Sequence, residues 1–327
     1  MNKKNHLCRY DDPEGIKCTE DARSSGYCYW HDKSVDKSGK HVKEALIEYT
    51  RSGGMTRGIC LMNADLSNID LINHEYKEGF DFSYADFYRA NLHGAHLFNI
   101  KLAHASLMKV DLRYAQLNCA DLNQTNLLGV KWKGCKIENI HLSKQLIQEV
   151  NAKTEEQNGN LEKALDNYEQ AEEIYRALRK HAEMEGIFSL SGNLIQRELT
   201  MRRKQMPKRS LQRFSSKLVD LFCGYGEDPV RIVGISLLFI FICALIYTFT
   251  GLNYNNEFYA YSSHQSFTDN VNFFWSCLYY SVVTFTTLGY GDFTPIGFSR
   301  ALAAIEAFTG SFTIALFVVV FVKKMTR

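Results

Sequence analysis

Nine residues near the C-terminal end constrain this chain more tightly than any others: Thr284-Phe285-Thr286-Thr287-Leu288-Gly289-Tyr290-Gly291-Asp292. Gly289 and Gly291 flank Tyr290 and reach backbone dihedrals that residues with a Cβ resist. Successive carbonyls are therefore free to turn the same way, and Thr287 adds a hydroxyl and a carbonyl at the inner end. Such a row of oxygens suits a dehydrated monovalent cation. One chain supplies one wall, so four copies around an axis are needed to close a ring. The flanks agree. Ile232 to Phe249 is almost wholly apolar and uncharged, and Ala301 to Val322 has Glu306 as its only charge. A helix crossing a bilayer core needs about 20 such residues. Between the spans lie a polar loop, Asn253 to Asn270, and a shorter apolar helix, Phe273 to Phe285, that leads into the nine residues. Non-helical backbone at membrane depth is tolerated only where it lines a cavity or is buried in protein.

This layout resembles the two-helix potassium-channel pore family, whose filter reads Thr-Val-Gly-Tyr-Gly; Leu288 stands where that form has valine. The match extends to Ser281, Val282, Thr284, Thr286, Asp292 and Pro295. The resemblance implies a homotetramer in which carbonyls of Thr287, Leu288, Gly289, Tyr290 and Gly291 replace the hydration shell of K⁺. It places Asp292 just outside the filter and turns Thr284 and Thr286 back towards the pore helix. Relatives often partner that aspartate with a pore-helix glutamate. Here Val283 occupies the position, and the Tyr279 hydroxyl is the candidate replacement. Gly310 aligns with the family's inner-helix hinge glycine, Thr309 and Thr313 are candidates to line a cavity, and Phe317 or Phe321 to form an inner constriction. Glu306 is an intramembrane acid one turn before Gly310. By default such a group is paired or functional. It is expected behind the filter, accepting hydrogen bonds from Ser281 or Thr284.

Orientation follows from charge. Arg202, Arg203, Lys204, Lys208, Arg209 and Arg213 precede the first span, and Lys323, Lys324 and Arg327 follow the second. The loop between them has Glu257 and Asp269 and no Lys or Arg. The positive-inside rule predicts a multi-pass protein of the inner (plasma) membrane with both termini cytoplasmic. The first thirty residues lack the apolar run of a cleavable signal peptide.

From Ile59 the chain repeats every five residues. The central apolar position reads Leu61, Leu66, Leu71, then, after a break around His74 to Gly79, Phe82, Phe87, Leu92 and every fifth residue to Leu142. Two positions earlier sit small residues such as Ala64, Ala85, Ala90, Ala95, Ala105, Ala115 and Ala120. Neither a helix nor a strand produces this period. The pattern, Ala-(Asp/Asn)-Leu-x-x, resembles the pentapeptide-repeat family. That resemblance implies a right-handed quadrilateral β-helix with four pentads to a coil, the leucine and the small residue both pointing inward. His74 to Gly79 is expected to protrude, and His93, His96 and His104 to face water. Some family members mimic DNA, which needs a strongly acidic surface. From Leu61 to Leu142 acids and bases nearly balance, nine against eight, so no nucleic-acid-related role is expected.

Ahead of the repeats, Cys8, Cys18 and Cys28 are separated by nine residues each, and two residues separate Cys28 from His31. Cys-x-x-His is a normal zinc half-site, and the four residues make a Cys₃His set for structural Zn²⁺. The segment is otherwise poor in apolar residues, so something besides a core must fold it. Free cytosolic thiols with a surface histidine, or a redox sensor, are the other readings.

After the repeats the period becomes helical, with Leu161, Ala164, Leu165, Tyr168, Ala171, Ile174, Tyr175 and Leu178 at three- and four-residue steps. Gly159-Asn160 starts that helix, Gly186 breaks it, and a further helix is expected from Asn193 to Lys204. The pair resembles a degenerate tetratricopeptide unit; a simple helical linker reads as well. Lys208 to Phe222 is amphipathic and suits the inner leaflet. The expected organisation is a multidomain membrane protein: a zinc segment at 1–40, a helical lead-in at 41–58, a β-helix at 59–144, an α-helical hairpin linker at 145–206, an interfacial helix at 207–228, and an α-helical two-span pore with a re-entrant pore helix at 229–327. No voltage-sensing helix, nucleotide loop, calcium loop or catalytic constellation stands at recognisable spacing, so the cytoplasmic ligand or partner has no sequence signature. The competing expectation is a membrane-anchored interaction scaffold with a silent pore.

Overall fold

The computed structural model describes residues 7–255, 257–264 and 266–326, and the chain divides into two compact units, Met1–Lys208 and Arg209–Arg327. Arg327, one of the basic residues in the orientation argument, lies outside the described residues.

In the first unit the pentads wind into a coil held by parallel bridges. Asp81 pairs with Lys101, Lys101 with Asp121 and Asp121 with His141, a twenty-residue step that makes each coil four pentads long. Between Cys60 and Asp86 the step is twenty-six residues. The six extra residues accommodate the break in the repeat, and 74–78 are exposed as expected. Within each pentad a tight turn reverses the chain: Ala64 N–H donates to the Leu61 carbonyl (3.2 Å) and Ala85 N–H to that of Phe82 (3.1 Å). Away from the break and the last pentad, the residue two past each central apolar position has positive φ, as at Asn63, Asn68, Tyr84, Arg89, Asn99 and Lys109. A left-handed residue at the third turn position alone is the mark of a type II turn, where Gly or Asn is at ease; Gly94, Gly129 and Gly134 take it too. The Asp or Asn of the motif fastens the turn. Asp86 Oδ1 accepts from Tyr88 N–H (3.0 Å), Asp81 from Ser83 (2.9 Å) and Asn91 from His93 (3.1 Å). The central leucines and the alanines two before them are almost fully buried, so stacking coils share one apolar column.

Both ends of the column are covered. At one end lie the knot of residues 7–32 and α1 (His41–Arg51), which buries Val42, Leu46 and Thr50. Cys60 N–H donates to the Trp30 carbonyl (2.8 Å), and a Cβ at Gly58 would overlap the Tyr10 ring. At the other end are α2 (Ile147–Gln157), α3 (Leu161–Met184) and α4 (Phe188–Gln205). His181 reaches the Cys135 carbonyl (2.7 Å) and Arg197 donates to that of Ser143 (3.0 Å). α3 buries the seam Ala164, Tyr168, Ala171, Ile174, Tyr175 and Leu178 that its periodicity marks. α4 starts at Phe188, five residues earlier than the sequence pattern indicates. Gly186 turns with φ 74° and Ile187 N–H returns to the Ala182 carbonyl (2.8 Å), so the next helix begins at once. α3 and α4 run antiparallel: Arg179 pairs with Glu198 (2.6 Å) and Gln205 reaches back to Glu172 (2.6 Å).

The second unit opens with α5 (Leu211–Cys223), capped by the Ser210 hydroxyl accepting from Gln212 N–H (3.2 Å). Its side chains Leu211, Phe214, Leu218 and Leu221 are exposed. Gly224-Tyr225-Gly226, which mimics a filter in sequence, is a single turn with left-handed Gly224 and Tyr225. It leads into α6 (Pro229–Thr250), where Pro229 opens the helix and Asp228 caps it. α6 and α8 (Phe298–Met325), of 22 and 28 residues, are long and apolar enough to cross a membrane. Between them lies α7 (Phe267–Phe285). It begins six residues before the apolar run, because Asp269 and its polar neighbours form a first turn suited to a helix N-terminus. A small antiparallel sheet, β2 (Glu257–Tyr259), β1 (Leu252–Tyr254), β3 (Phe293–Pro295), ties the loop after α6 to the segment that follows Asp292.

Candidate ion pathway and metal cluster

α7 ends in an orderly way just before the filter residues. Thr287 N–H donates to the Thr284 carbonyl and Leu288 N–H to that of Val283, both at 3.0 Å. The Thr286 hydroxyl turns back to the Val282 carbonyl (2.7 Å), and that of Thr287 to the Thr286 carbonyl (2.7 Å). From there the backbone alternates. Thr287, Gly289 and Gly291 have φ of 59°, 59° and 80°, while Leu288 and Tyr290 between them do not enter the left-handed region. Alternating hand turns consecutive peptides to one side instead of to opposite sides as in a strand. Residues 287–292 are exposed in the single chain, Tyr290 at 67%. Among the described residues, nothing accepts from the backbone N–H of Gly289, Tyr290 or Gly291.

The supports are arranged around this segment. The Tyr279 hydroxyl faces the Asp292 carboxylate, and its ring meets Phe293 edge-on (6.3 Å). Phe293 in turn stacks on Tyr254 of β1 (4.8 Å). Val283, in the place of the family's pore-helix acid, is buried. Glu306 is fully buried and receives the Ser281 hydroxyl. Its second partner is the Tyr247 hydroxyl of α6 (2.7 Å), not Thr284. The sequence marks Tyr247 only as one polar atom among apolar neighbours, so the pairing was not legible. Gly310 lies within an unbroken α8, where a Cβ would overlap the Phe285 carbonyl; close packing of α8 on the end of α7 requires a glycine. Thr309 is half-buried, whereas Thr313 lines an apolar groove with Phe285, Ile232 and Phe317. Phe317 stacks on Phe321 (5.6 Å).

The second constellation lies in the N-terminal knot. The ligand atoms of Cys8, Cys18, Cys28 and His31 all lie within 4.8 Å of one another, and all four residues are buried. Cys28 Sγ is 3.1 Å and Cys8 Sγ 3.8 Å from His31 Nδ1, and Cys18 and Cys28 sulfurs are 3.9 Å apart. Zinc–ligand bonds of about 2.0–2.3 Å put tetrahedral edges at roughly 3.5–3.8 Å, so the set fits that ion. His31 Nε2–H donates to the Arg57 carbonyl (2.8 Å), which leaves Nδ1 as the ligand atom. Tyr10 stacks flat on the imidazole (4.1 Å). Burial pushes the Cys18 thiol up to about 12 and the Cys28 thiol in the same direction, and lowers His31. Thiolates in so buried a set need a cation among them. Arg57, which the sequence did not single out, ties the knot to the first coil through Asp12 (2.7 Å), Glu14 (2.8 Å) and Asp81 (2.8 Å).

Comparison with known proteins agrees with this division. Residues 234–327 match the family described as Ion channel, and residues 90–129 match Pentapeptide repeats in eight copies. The chain thus carries a segment similar to ion channels after a segment similar to pentapeptide repeats. Among solved structures it is similar to alr5209, a pentapeptide repeat protein from Nostoc PCC 7120, at 30% identity over 31% of this chain and 94% of that one (TM-score 0.26). It is also similar to HetL of Nostoc sp. strain PCC 7120, a pentapeptide repeat protein involved in heterocyst differentiation regulation. That match has 31% identity over 26% of this chain and 45% of that one, under half its length (TM-score 0.13). A third is the pentapeptide repeat protein AT2G44920 of the Arabidopsis thaliana thylakoid lumen, at 26% identity over 30% and 77% of the two chains (TM-score 0.13). No curated protein matches the chain.

Proposed function

We propose that this protein is a homotetrameric, potassium-selective channel of the plasma (inner) membrane with both termini cytoplasmic. In this reading α6 and α8 are the spans and α7 enters and leaves from the outer face. Carbonyls of Thr287 to Gly291 from four copies form the K⁺ sites. Gly310, Phe317 and Phe321 belong to the inner helix that lines the way in. The pentads form a right-handed, four-sided β-helix, and with the tetratricopeptide-like helices at 145–206 they assemble or gate the pore. Cys8, Cys18, Cys28 and His31 hold a structural Zn²⁺ that closes the knot.

One observation carries the channel reading. A backbone of alternating hand, with N–H groups that find no acceptor among the described residues, lies between two helices fit to span a bilayer. Bare peptide groups at membrane depth cost several kcal/mol each unless copies of the chain enclose them around a water- or ion-filled axis. Tracer flux tests it. Purified protein in vesicles loaded with potassium takes up rubidium, a like-sized ion, and does not dissipate a sodium gradient. Gly289→Ala abolishes uptake. Tetramers that pass no rubidium would identify the silent scaffold instead. Elemental analysis of the same preparation reads zinc, with one ion per chain expected.

A further inference from the structure

Three helices meet behind the filter at one carboxyl group. Glu306 of α8 has no exposed surface. The Tyr247 hydroxyl of α6 donates to its Oε2 at 2.7 Å, and the Ser281 hydroxyl of α7 reaches its Oε1. Ser281 also lies 2.9 Å from the Ile240 carbonyl of α6, so its one hydroxyl touches both spans. Tyr247 and Ser281 are themselves fully buried, and the Tyr280 ring closes the site edge-on against Tyr247 (5.0 Å). One turn further along α8, Gly310 abuts the Phe285 carbonyl, the last residue of α7. The pore helix is thus held at two heights by the same face of α8, once by hydrogen bonds and once by backbone contact. Two residues beyond Phe285 the filter begins.

We propose that Tyr247 is a positioning residue for ion selection: acting through Glu306 and Ser281, it fixes α7 against both spans and so keeps the filter in its conducting form. The inference rests on the channel reading above. Its physical basis is the position of the donor. A buried polar group that loses its partner stays desolvated and seeks another. Here the nearest way to relieve an unpaired Glu306 oxygen is a shift of α7, and the carbonyls attached to its end move with it. Misplacement of carbonyl rings by a fraction of an ångström is felt in ion choice and in the lifetime of the conducting state.

The test is Tyr247→Phe, which removes one oxygen and leaves the ring. Reconstituted channels are recorded with potassium against sodium, beside Tyr261→Phe as a matched loss of a tyrosine hydroxyl elsewhere in the same unit. The expected result is a potassium-to-sodium permeability ratio reduced at least about tenfold, or currents that decay at least about tenfold faster, in a protein that still elutes as the wild-type oligomer. Raising external potassium restores the current, because ions that bind only the conducting filter stabilise it by mass action. Ser281→Ala shows the same two changes and serves if the first variant assembles poorly. A merely structural role lowers yield or thermal stability and leaves selectivity, decay and potassium rescue untouched; that result overturns the proposal. A wild-type protein that passes no potassium sinks the channel reading and this inference together, whereas a conducting wild type with an unaltered Tyr247→Phe sinks this one alone.

Discussion

The two units solve the same problem, backbone polarity in an apolar setting, in opposite ways. In the repeat domain the chain answers itself. Asp86 N–H finds the Ile59 carbonyl and Leu61 N–H that of Asp86, and every coil repeats the arrangement on the next. The left-handed residue in each pentad is absorbed into a closed turn. In the second unit the same device, a left-handed residue at intervals, appears at Thr287, Gly289 and Gly291 without closing a turn. There the peptides are left for something outside the chain. A local conformation is therefore not a function. Positive φ makes a sealed scaffold when the next coil lies one bridge away, and an open row of dipoles when nothing does.

Changes that strike each side of this contrast separate the two units. The largest expected effect is on the open row. Gly289→Ala should end rubidium flux altogether while the thermal transition of the repeat domain stays within error of wild type. A lost transition would mean that the two units do not fold independently. Next come changes to the sealed column. Leu107 and Leu112 are fully buried, and Leu→Ala at either should lower stability by about 2–5 kcal/mol, read by denaturant unfolding. Rubidium flux per mole of protein should persist at temperatures where the domain remains folded. The metal cluster is intermediate. Cys28→Ser, or a strong chelator, should remove the zinc and loosen the knot. Hydrogen exchange should then rise at Cys60 and Gly58, whose amides pair with Trp30 and Ser83, and stay low at Ala105. Acidification acts in the same direction, since protons compete with the ion for the thiolates.

Smaller effects sharpen the picture of the turns. Asp86→Ala removes an Asx contact and should cost about 1 kcal/mol, whereas Asn63→Gly, at a left-handed position, should be neutral or slightly stabilising. The smallest is a pH effect. Hydrogen bonds from Arg113 hold the Asp111 carboxyl at about 2, below its ordinary value. Its contribution is fully present above its unfolded pKa of about 3.9 and fades as pH falls through about 2. Asp111→Asn should therefore lower stability slightly at pH 7, make little difference near pH 2, and so flatten the acid limb of the stability curve.

Much of this was legible without coordinates because both units are built from short-range rules. A five-residue period admits few windings, and its leucines, alanines and break at 74–79 fall where the pattern puts them. Apolar runs of spanning length, one of them interrupted only by Glu306, mark α6 and α8, and Cys-x-x-His points to the cluster that Cys8 and Cys18 complete. What escaped was long-range. Tyr247 meets Glu306 across fifty-nine residues, Arg57 meets Asp12 across forty-five, and Gly310 is needed by the end of a different helix. The start of α4 is likewise set at a distance from its own pattern, by the Ile187 amide returning to the Ala182 carbonyl.

The sequence alone determined the period, the two helices long and apolar enough to cross a membrane, and the residue types at 284–292 and in the Cys₃His set, since each depends on residue type at a fixed local spacing. Only the tertiary structure decided which hydroxyl faces the buried acid, which carbonyl orients His31, and why Gly310 has no side chain. Those depend on how helices and coils approach one another, and a distance between elements is set by the packing of the whole, not by any residue's own preference.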